Sequence, residues 1–200
     1  FMAASRVPPA LLRDGLNMEF GTRHGEGLRW LATDFNQTSW HGFDSWQGLP
    51  TDVSSSKHWH EGKYSTGGVL PDMSCCPNVR LHKGWFNETV ESFIQSQPPD
   101  RPVGFAHLDA DVYSSTVTVL DAIFRACAHR NGTVLSFDEL FGSLEQERHE
   151  WKALLESAAK YGFSWRFVTY ALTPASPFAR AAVQVTDVGE RCRTRERRDP

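Results

Sequence analysis

The sequence predicts an α/β fold, a doubly wound and mostly parallel sheet of seven strands whose last strand runs antiparallel. Three observations predict it. Apolar, strand-like runs alternate with helix-period segments along the chain, the pattern of βαβ units. A glycine-rich turn follows the first apolar run. Two acidic runs, His107-Leu108-Asp109-Ala110-Asp111 and Asp138-Glu139, each close a later apolar run, with helical sequence between them. Parallel strands of such a unit end at one edge of the sheet, where ligands bind. Asp109, Asp111, Asp138 and Glu139 are therefore expected to converge on one cleft. Packed carboxylates repel unless a cation sits among them, and hard oxygen donors suit Mg²⁺, Mn²⁺ or Ca²⁺.

The elements follow in order. Residues 16–20 read as the first strand, and the turn Gly21-Thr22-Arg23-His24-Gly25-Glu26-Gly27 leads into a helix with Leu28, Leu31 and Ala32 on one face. Residues 40–43 form a second strand ending at Asp44, and 79–82 a third, followed by Lys83-Gly84-Trp85-Phe86. A helix over 89–96 stops at Pro98-Pro99. Strand 105–108 precedes a helix capped by Ser114-Ser115-Thr116, with Val119, Leu120, Ile123 and Phe124 inward. Strand 133–137 precedes a helix over 145–160 with Trp151, Leu154, Leu155 and Ala158 inward. Residues 163–170 and 181–186 close the chain as an antiparallel pair. The sequence reads as one domain over 1–188. The Ser-, Gly-, Pro- and His-rich stretch 48–78 is too long for an ordinary connection and is expected to fold over the cleft as a lid. The Arg-rich end, 189–200, is expected to be a solvated, disordered tail.

Two hundred residues with a formal charge of −3 give no reason to invoke nucleic acid. No apolar run approaches the length of a membrane span, and no leader is visible, so a cytoplasmic protein is expected. Cys75, Cys76, Cys127 and Cys192 lack metal-type spacing and read as reduced structural thiols.

Glycine at positions 21 and 25 lets the backbone approach a ligand closely, but the spacing of Gly21, Gly25 and Gly27 disfavours a pyrophosphate site. Asp44, at the end of the second strand, is placed to accept hydrogen bonds from ribose hydroxyls. Gly84 permits close contact with an adenine, which Trp85 or Phe86 can stack on or wall. Glycine turn, ribose acid and adenine loop together describe a nucleoside without a phosphate site, and point to S-adenosylmethionine. His24 can touch the carboxylate end of that cofactor. His107 is expected to be a hydrogen-bonded structural residue, and His149 to approach the cleft as a rival base.

In order along the chain, Glu19-x-Gly21-x-x-x-Gly25, Gly42-Phe43-Asp44-Ser45-x-x-Gly48-Leu49-Pro50, Gly84-Trp85-Phe86-x-x-Thr89, His107-Leu108-Asp109-Ala110-Asp111-x-Tyr113-x-Ser115-Thr116 and Phe137-Asp138-Glu139 resemble the macrocin O-methyltransferase family. Its members are class I, metal-dependent S-adenosylmethionine methyltransferases that act on sugar hydroxyls of antibiotics. The resemblance implies a Rossmann-like fold, a divalent ion on Asp109, Asp138 and Glu139, and Asp111 as general base; position along the chain, not the resemblance, makes His149 the second catalytic candidate. The cofactor contacts expected are Glu19, Gly21, Thr22, His24, Gly25, Asp44, Ser45, Gly84, Trp85, Phe86 and Asp109. A small-molecule hydroxyl acceptor from natural product biosynthesis and a homo-oligomer are the implied partners. Many members carry Asp-Asp where this chain has Asp138-Glu139, and the run His149-Glu150-Trp151-Lys152-Ala153 is similar to that of a compact branch. Metal-independent N- or C-methylation, or a nucleoside-binding module without catalysis, are the other readings.

Overall fold

The computed structural model describes residues 2–51, 59–142, 146–172 and 179–196. Strands β1 (Leu16–Phe20), β2 (Trp40–Asp44), β3 (Val79–Lys83), β4 (Val103–Leu108), β5 (Val134–Phe141), β6 (Ser164–Leu172) and β7 (Ala179–Asp187) form a seven-stranded sheet in the order β3-β2-β1-β4-β5-β7-β6. Strands β1 to β5 pair in parallel, and β7 enters antiparallel between β5 and β6. The predicted doubly wound sheet with one antiparallel last strand is the sheet observed. Strand order reverses between β1 and β4, which opens a crevice at their carboxyl ends.

Helices cover both faces. Helices α1 (Pro9–Asp14) and α2 (Glu26–Asp34) pack on one, where Leu12, Leu28, Leu31, Trp40, Phe105 and Val134 form a core with Ala3, Ala4 and Val7. Helices α3 (Phe86–Gln95), α4 (Tyr113–Arg125) and α5 (Glu150–Tyr161) cover the other. There Met18, Phe20, Leu108, Leu135 and Phe137 meet Val90, Leu120, Ile123 and Leu154. Strands β1 and β4 are buried on both faces, as their unbroken apolar runs require. No helix among the described residues is long and apolar enough to cross a membrane.

Several local expectations are corrected. Helix α1 was not foreseen; it fits because Gly15 and Gly104 let the Leu11 carbonyl come close to both backbones. Helix α4 begins at Tyr113 without a side-chain cap, and Thr116 instead donates its hydroxyl to the Val112 carbonyl at 3.1 Å. A 3-10 turn over Gln146–Arg148 and a break at His149 precede α5. Its buried face is Ala153, Leu154, Ser157 and Tyr161, so Leu155 points outward at 43% exposure. Residues 143–145, where the helix was expected to begin, lie outside the described residues.

The chain end is a helix rather than a loose tail. Helix α6 (Glu190–Glu196) is tied by a disulfide from Cys192 to Cys127, just beyond α4, and Val188 is buried in a cluster with the two cysteines. Residues 197–200 of the expected tail lie outside the described residues. The expectation of four reduced thiols is thus wrong for Cys127 and Cys192; only Cys75 and Cys76 are free. Spacing could not foretell this, because the two cysteines lie 65 residues apart and only the fold brings them together. Such a bond persists where the surroundings are oxidising, so cysteine usage no longer supports a cytoplasmic location. Cys192→Ser is expected to lower unfolding free energy by about 2–4 kcal/mol in non-reducing denaturant titrations. The difference should disappear when both proteins are unfolded in reductant.

Candidate active site

The register of the sheet assembles the site. Phe20 pairs with Phe43 on one side and Leu108 on the other, Asp44 with Lys83, and Leu108 with Phe137. The next residues, Gly21, Asp109 and Asp138, therefore come abreast beside Asp44 at the carboxyl edge. Gly21 has φ of +91°, and a Cβ there would overlap the Asp109 carbonyl oxygen. The close approach expected of this glycine is thus to the neighbouring strand, which donates the Asp109 N–H to the Phe20 carbonyl at 2.9 Å. Only glycine satisfies both the left-handed backbone and the contact.

A cleft of about 640 Å³ lies over this row. It is lined by Gly21, Asp44, Ser45, Trp85, Phe86, Asp109, Asp111, Asp138 and Glu139, and so gathers most of the residues singled out from sequence. Asp44 accepts the Arg23 N–H at 2.8 Å and the Trp46 N–H at 2.6 Å, stitching the glycine turn to the turn after β2. Burial pushes its carboxyl up, against these bonds. Ser45 accepts the Gln47 N–H at 3.0 Å. Gly84 has φ of +147° and starts the turn into α3, where Trp85 is the N-cap and donates its N–H to Glu88 at 3.3 Å. Phe86 meets Phe20 edge to face.

Glu19, Thr22 and His24 line a second cavity of about 600 Å³ on the α2 side, which shares Gly21, Arg23, Asp109 and Asp138 with the first. Gly25 begins α2 in the left-handed conformation, against Pro71 and Met73. Glu19 is buried, with Oε1 3.2 Å from His107 Nδ1 and Oε2 without a partner. Burial of the His107 ring opposes its charge, but the Glu19 bond together with the charges of Glu19, Asp109 and Asp138 outweighs it and raises the pKa. The structural role expected of His107 is the one observed.

Asp111 has the most constrained environment. Its φ is +58°, a left-handed conformation that few residues other than glycine adopt. Trp59 donates its indole N–H to Asp111 Oδ1 at 3.0 Å, and Trp59 itself is buried with Leu49 and Val112. Burial pushes the Asp111 carboxyl up to about 6, against the pull of Trp59. The stretch foreseen as a lid therefore contributes Trp59 to the cleft. It closes on itself through Leu49 N–H to the Lys63 carbonyl and Gly62 N–H to the Leu49 carbonyl, while residues 52–58 lie outside the described residues.

His149 does not line the cleft. Its Nδ1 accepts the Tyr113 N–H at 3.2 Å and its ring lies 5.0 Å from that of Trp59, so it backs the indole rather than reaching a substrate. The metal triad is not assembled either. Strand β5 runs on to Phe141 through a register shift against β7, and Asp138 and Glu139 both line the cleft. Asp138 turns to Arg180 of β7, with Nε 2.6 Å from Oδ1. The Glu139 N–H goes to Glu150 Oε2 of α5 at 3.1 Å. Among the described residues no group of three His, Cys, Asp or Glu side chains is arranged to hold a metal ion. Burial, then the Asp138 charge, raises the Asp109 carboxyl well above the ordinary range. Burial likewise raises Glu150, whose Oε1 has no partner.

Sequence reading missed Trp59, Arg180 and Glu150. Trp59 sat in a stretch without periodicity, and Arg180 one residue before the expected strand. Glu150 lay in view in the run after His149, without a role.

A family model described as a methyltransferase domain matches residues 18–140. The chain belongs to this family. The match spans β1 through most of β5, and so the whole row from Gly21 to Asp138. The methyltransferase uses S-adenosylmethionine. Its fold is similar to the TDP-rhamnose 3′-O-methyltransferase of calicheamicin biosynthesis in its apo form, with a TM-score of 0.56 and 23% identity over 92% of this chain and 78% of that one. It is also similar to a precorrin-6Y C5,15-methyltransferase from Geobacter metallireducens, with a TM-score of 0.53 and 11% identity over 93% and 86%. An O-methyltransferase family protein from Burkholderia thailandensis gives 0.52 and 8% over 94% and 56%. A search of curated protein sequences finds no match.

A carboxyl that titrates near 6 instead of 3.8 makes the folded methyltransferase lose stability as pH rises between those values. Asp111→Asn removes that loss and suits the left-handed backbone better. The variant is expected to be more stable than wild type at neutral pH, by on the order of 2–3 kcal/mol. The gain should fade as pH falls below about 6 and vanish below about 4, as read from thermal melts across the pH range.

Proposed function

We propose that this methyltransferase moves a methyl group from S-adenosylmethionine to a hydroxyl of a small-molecule acceptor, with Asp111 as general base. The observation that carries the reading is Asp111 itself: a half-buried carboxylate at the edge of the cleft, aimed by Trp59 and with its pKa pushed up to about 6. A base works best with a pKa near the working pH, and proton removal of this kind contributes roughly 10²–10⁴-fold. In the reaction the hydroxyl oxygen attacks the methyl carbon in line with the breaking carbon–sulfur bond. Its proton passes to Asp111 as the bond forms. Holding the two reactants in line supplies much of the remaining acceleration.

Asp44 holds the ribose in this reading, Trp85 and Phe86 wall the adenine, and Glu19, Gly21, Thr22, His24 and Asp109 surround the methionine end across the two joined cavities. A sugar or related natural product is the acceptor class favoured, since the sequence resembles the macrocin O-methyltransferases and the fold is similar to that of a TDP-rhamnose 3′-O-methyltransferase. Metal-independent O-methylation is preferred to the metal-assisted route implied by the resemblance. The oxygen donors of Asp109, Asp138 and Glu139 suit a hard cation in kind. Their arrangement does not fit one, because Arg180 engages both oxygens of Asp138 and, among the described residues, no group of three such side chains is arranged to hold an ion. No step is assigned to an ion.

S-adenosylhomocysteine should bind and NAD should not. Asp44→Ala is expected to weaken S-adenosylhomocysteine binding by about 1.5–3 kcal/mol in calorimetry, through loss of charge-assisted hydrogen bonds. NAD binding without S-adenosylhomocysteine binding would defeat the cofactor assignment. With an acceptor found by screening, kcat should rise with pH through about 6 as Asp111 loses its proton. Asp111→Asn should keep cofactor affinity and lose most of kcat together with that pH step; an unchanged kcat would remove Asp111 from the chemistry.

A further inference from the structure

The carboxylates of the cleft need a positive partner, because packed acids otherwise resist ionising together. Strand register decides which partner they have. Phe137 of β5 lies opposite Ala181 of β7, so Asp138 and Arg180 flank that pair at the same end of the two antiparallel strands. Arg180 Nε lies 2.6 Å from Asp138 Oδ1 and Nη2 lies 3.3 Å from Oδ2, so the guanidinium engages both oxygens. A planar fork of donors matches a carboxylate in this way, and a point charge does not. The Asp138 side chain is 19% exposed and that of Arg180 61%, so the cation reaches inward from the rim of the second cavity onto an acid that lines both.

We propose, on the methyl-transfer reading above, that Arg180 is the built-in cation of this carboxylate cluster, a positioning residue that fixes Asp138 where a divalent ion would otherwise be held. Methyl transfer then runs without a metal. The bond changes balance on the chain's own groups. The carbon–sulfur bond breaks with its electron pair going to sulfur, the oxygen–carbon bond forms, and the hydroxyl proton goes to Asp111. The sulfonium becomes a neutral thioether as the Asp111 carboxylate becomes a neutral acid, and no further charge is created for an ion to balance.

Mn²⁺ serves as the probe, its free concentration read by electron paramagnetic resonance during titration of the full chain. Arg180→Gln is expected to bind Mn²⁺ about tenfold or more tightly than wild type, since a like charge beside the site is gone. Arg180→Lys, which keeps the charge, should stay close to wild type, and Asp138→Asn added to Arg180→Gln should abolish the gain. Equal Mn²⁺ affinity in wild type and Arg180→Gln would overturn the proposal, as would tight wild-type binding that Asp138→Asn removes. Binding of S-adenosylhomocysteine by wild type is measured on the same samples. If wild type fails to bind S-adenosylhomocysteine, the methyl-transfer reading falls, while the Mn²⁺ comparison still decides the place of Arg180.

Discussion

The contact between Gly21 and the Asp109 carbonyl fixes the lateral register at the point where strand order reverses, and the site inherits its geometry from it. Any side chain at position 21 would collide with that oxygen and push β1 from β4. Separation there would break the bond from Asp109 to Phe20, and Asp44, Gly21, Asp109 and Asp138 would cease to lie abreast. The adenosine side and the acidic side of the cleft are aligned by a backbone constraint, before any ligand contributes. This is why the glycine belongs at the end of the strand, where steric demand comes from the protein itself.

The acidic half of the cleft is held in an unfavourable state by its surroundings. Asp109 and Glu150 are buried beside other acids, and Asp111 occupies a backbone conformation that costs energy for any residue with a side chain. Two devices make this tolerable. The Trp59 indole supplies Asp111 with one directed hydrogen bond, and Arg180 supplies Asp138 with charge. The two devices meet through charge, since Asp138 is among the groups that raise the Asp111 carboxyl. Stability sacrificed at a functional cleft is a common trade, and here part of it falls on Asp111, the carboxylate proposed to take the proton.

Most of the sheet was legible because its signals are local. The strands at 16–20 and 40–43, with Gly21 after the first and Asp44 after the second, could be read from apolar runs and their punctuation. The α4 core positions Val119, Leu120, Ile123 and Phe124 followed from the helical period. What escaped depends on long-range pairing. Strand β5 was expected to stop at Phe137; it continues because β7 lies alongside, with Phe141 opposite Ala179. That extension put Asp138 beside Arg180 of β7, which engages its carboxylate in place of the expected metal triad. The Cys127–Cys192 bond and the Trp59 hydrogen bond are likewise contacts across 65 and 52 residues, with no trace in local pattern. Helix α1, by contrast, was short and masked by its prolines.

The reversed direction of β7 has an evolutionary consequence. In the parallel strands a functional residue follows the strand, and the same turn must also launch the next helix. Arg180 is delivered from the beginning of its strand instead, at a position that begins no helix and caps none. Position 180 can therefore change identity without disturbing the turns that hold Gly21, Asp44 or Asp109. A lineage could interchange arginine with a neutral residue there and move between an internal and an external cation while keeping one scaffold. Sequence divergence at this one site would then track how each relative neutralises its acids, more faithfully than divergence among the acids themselves.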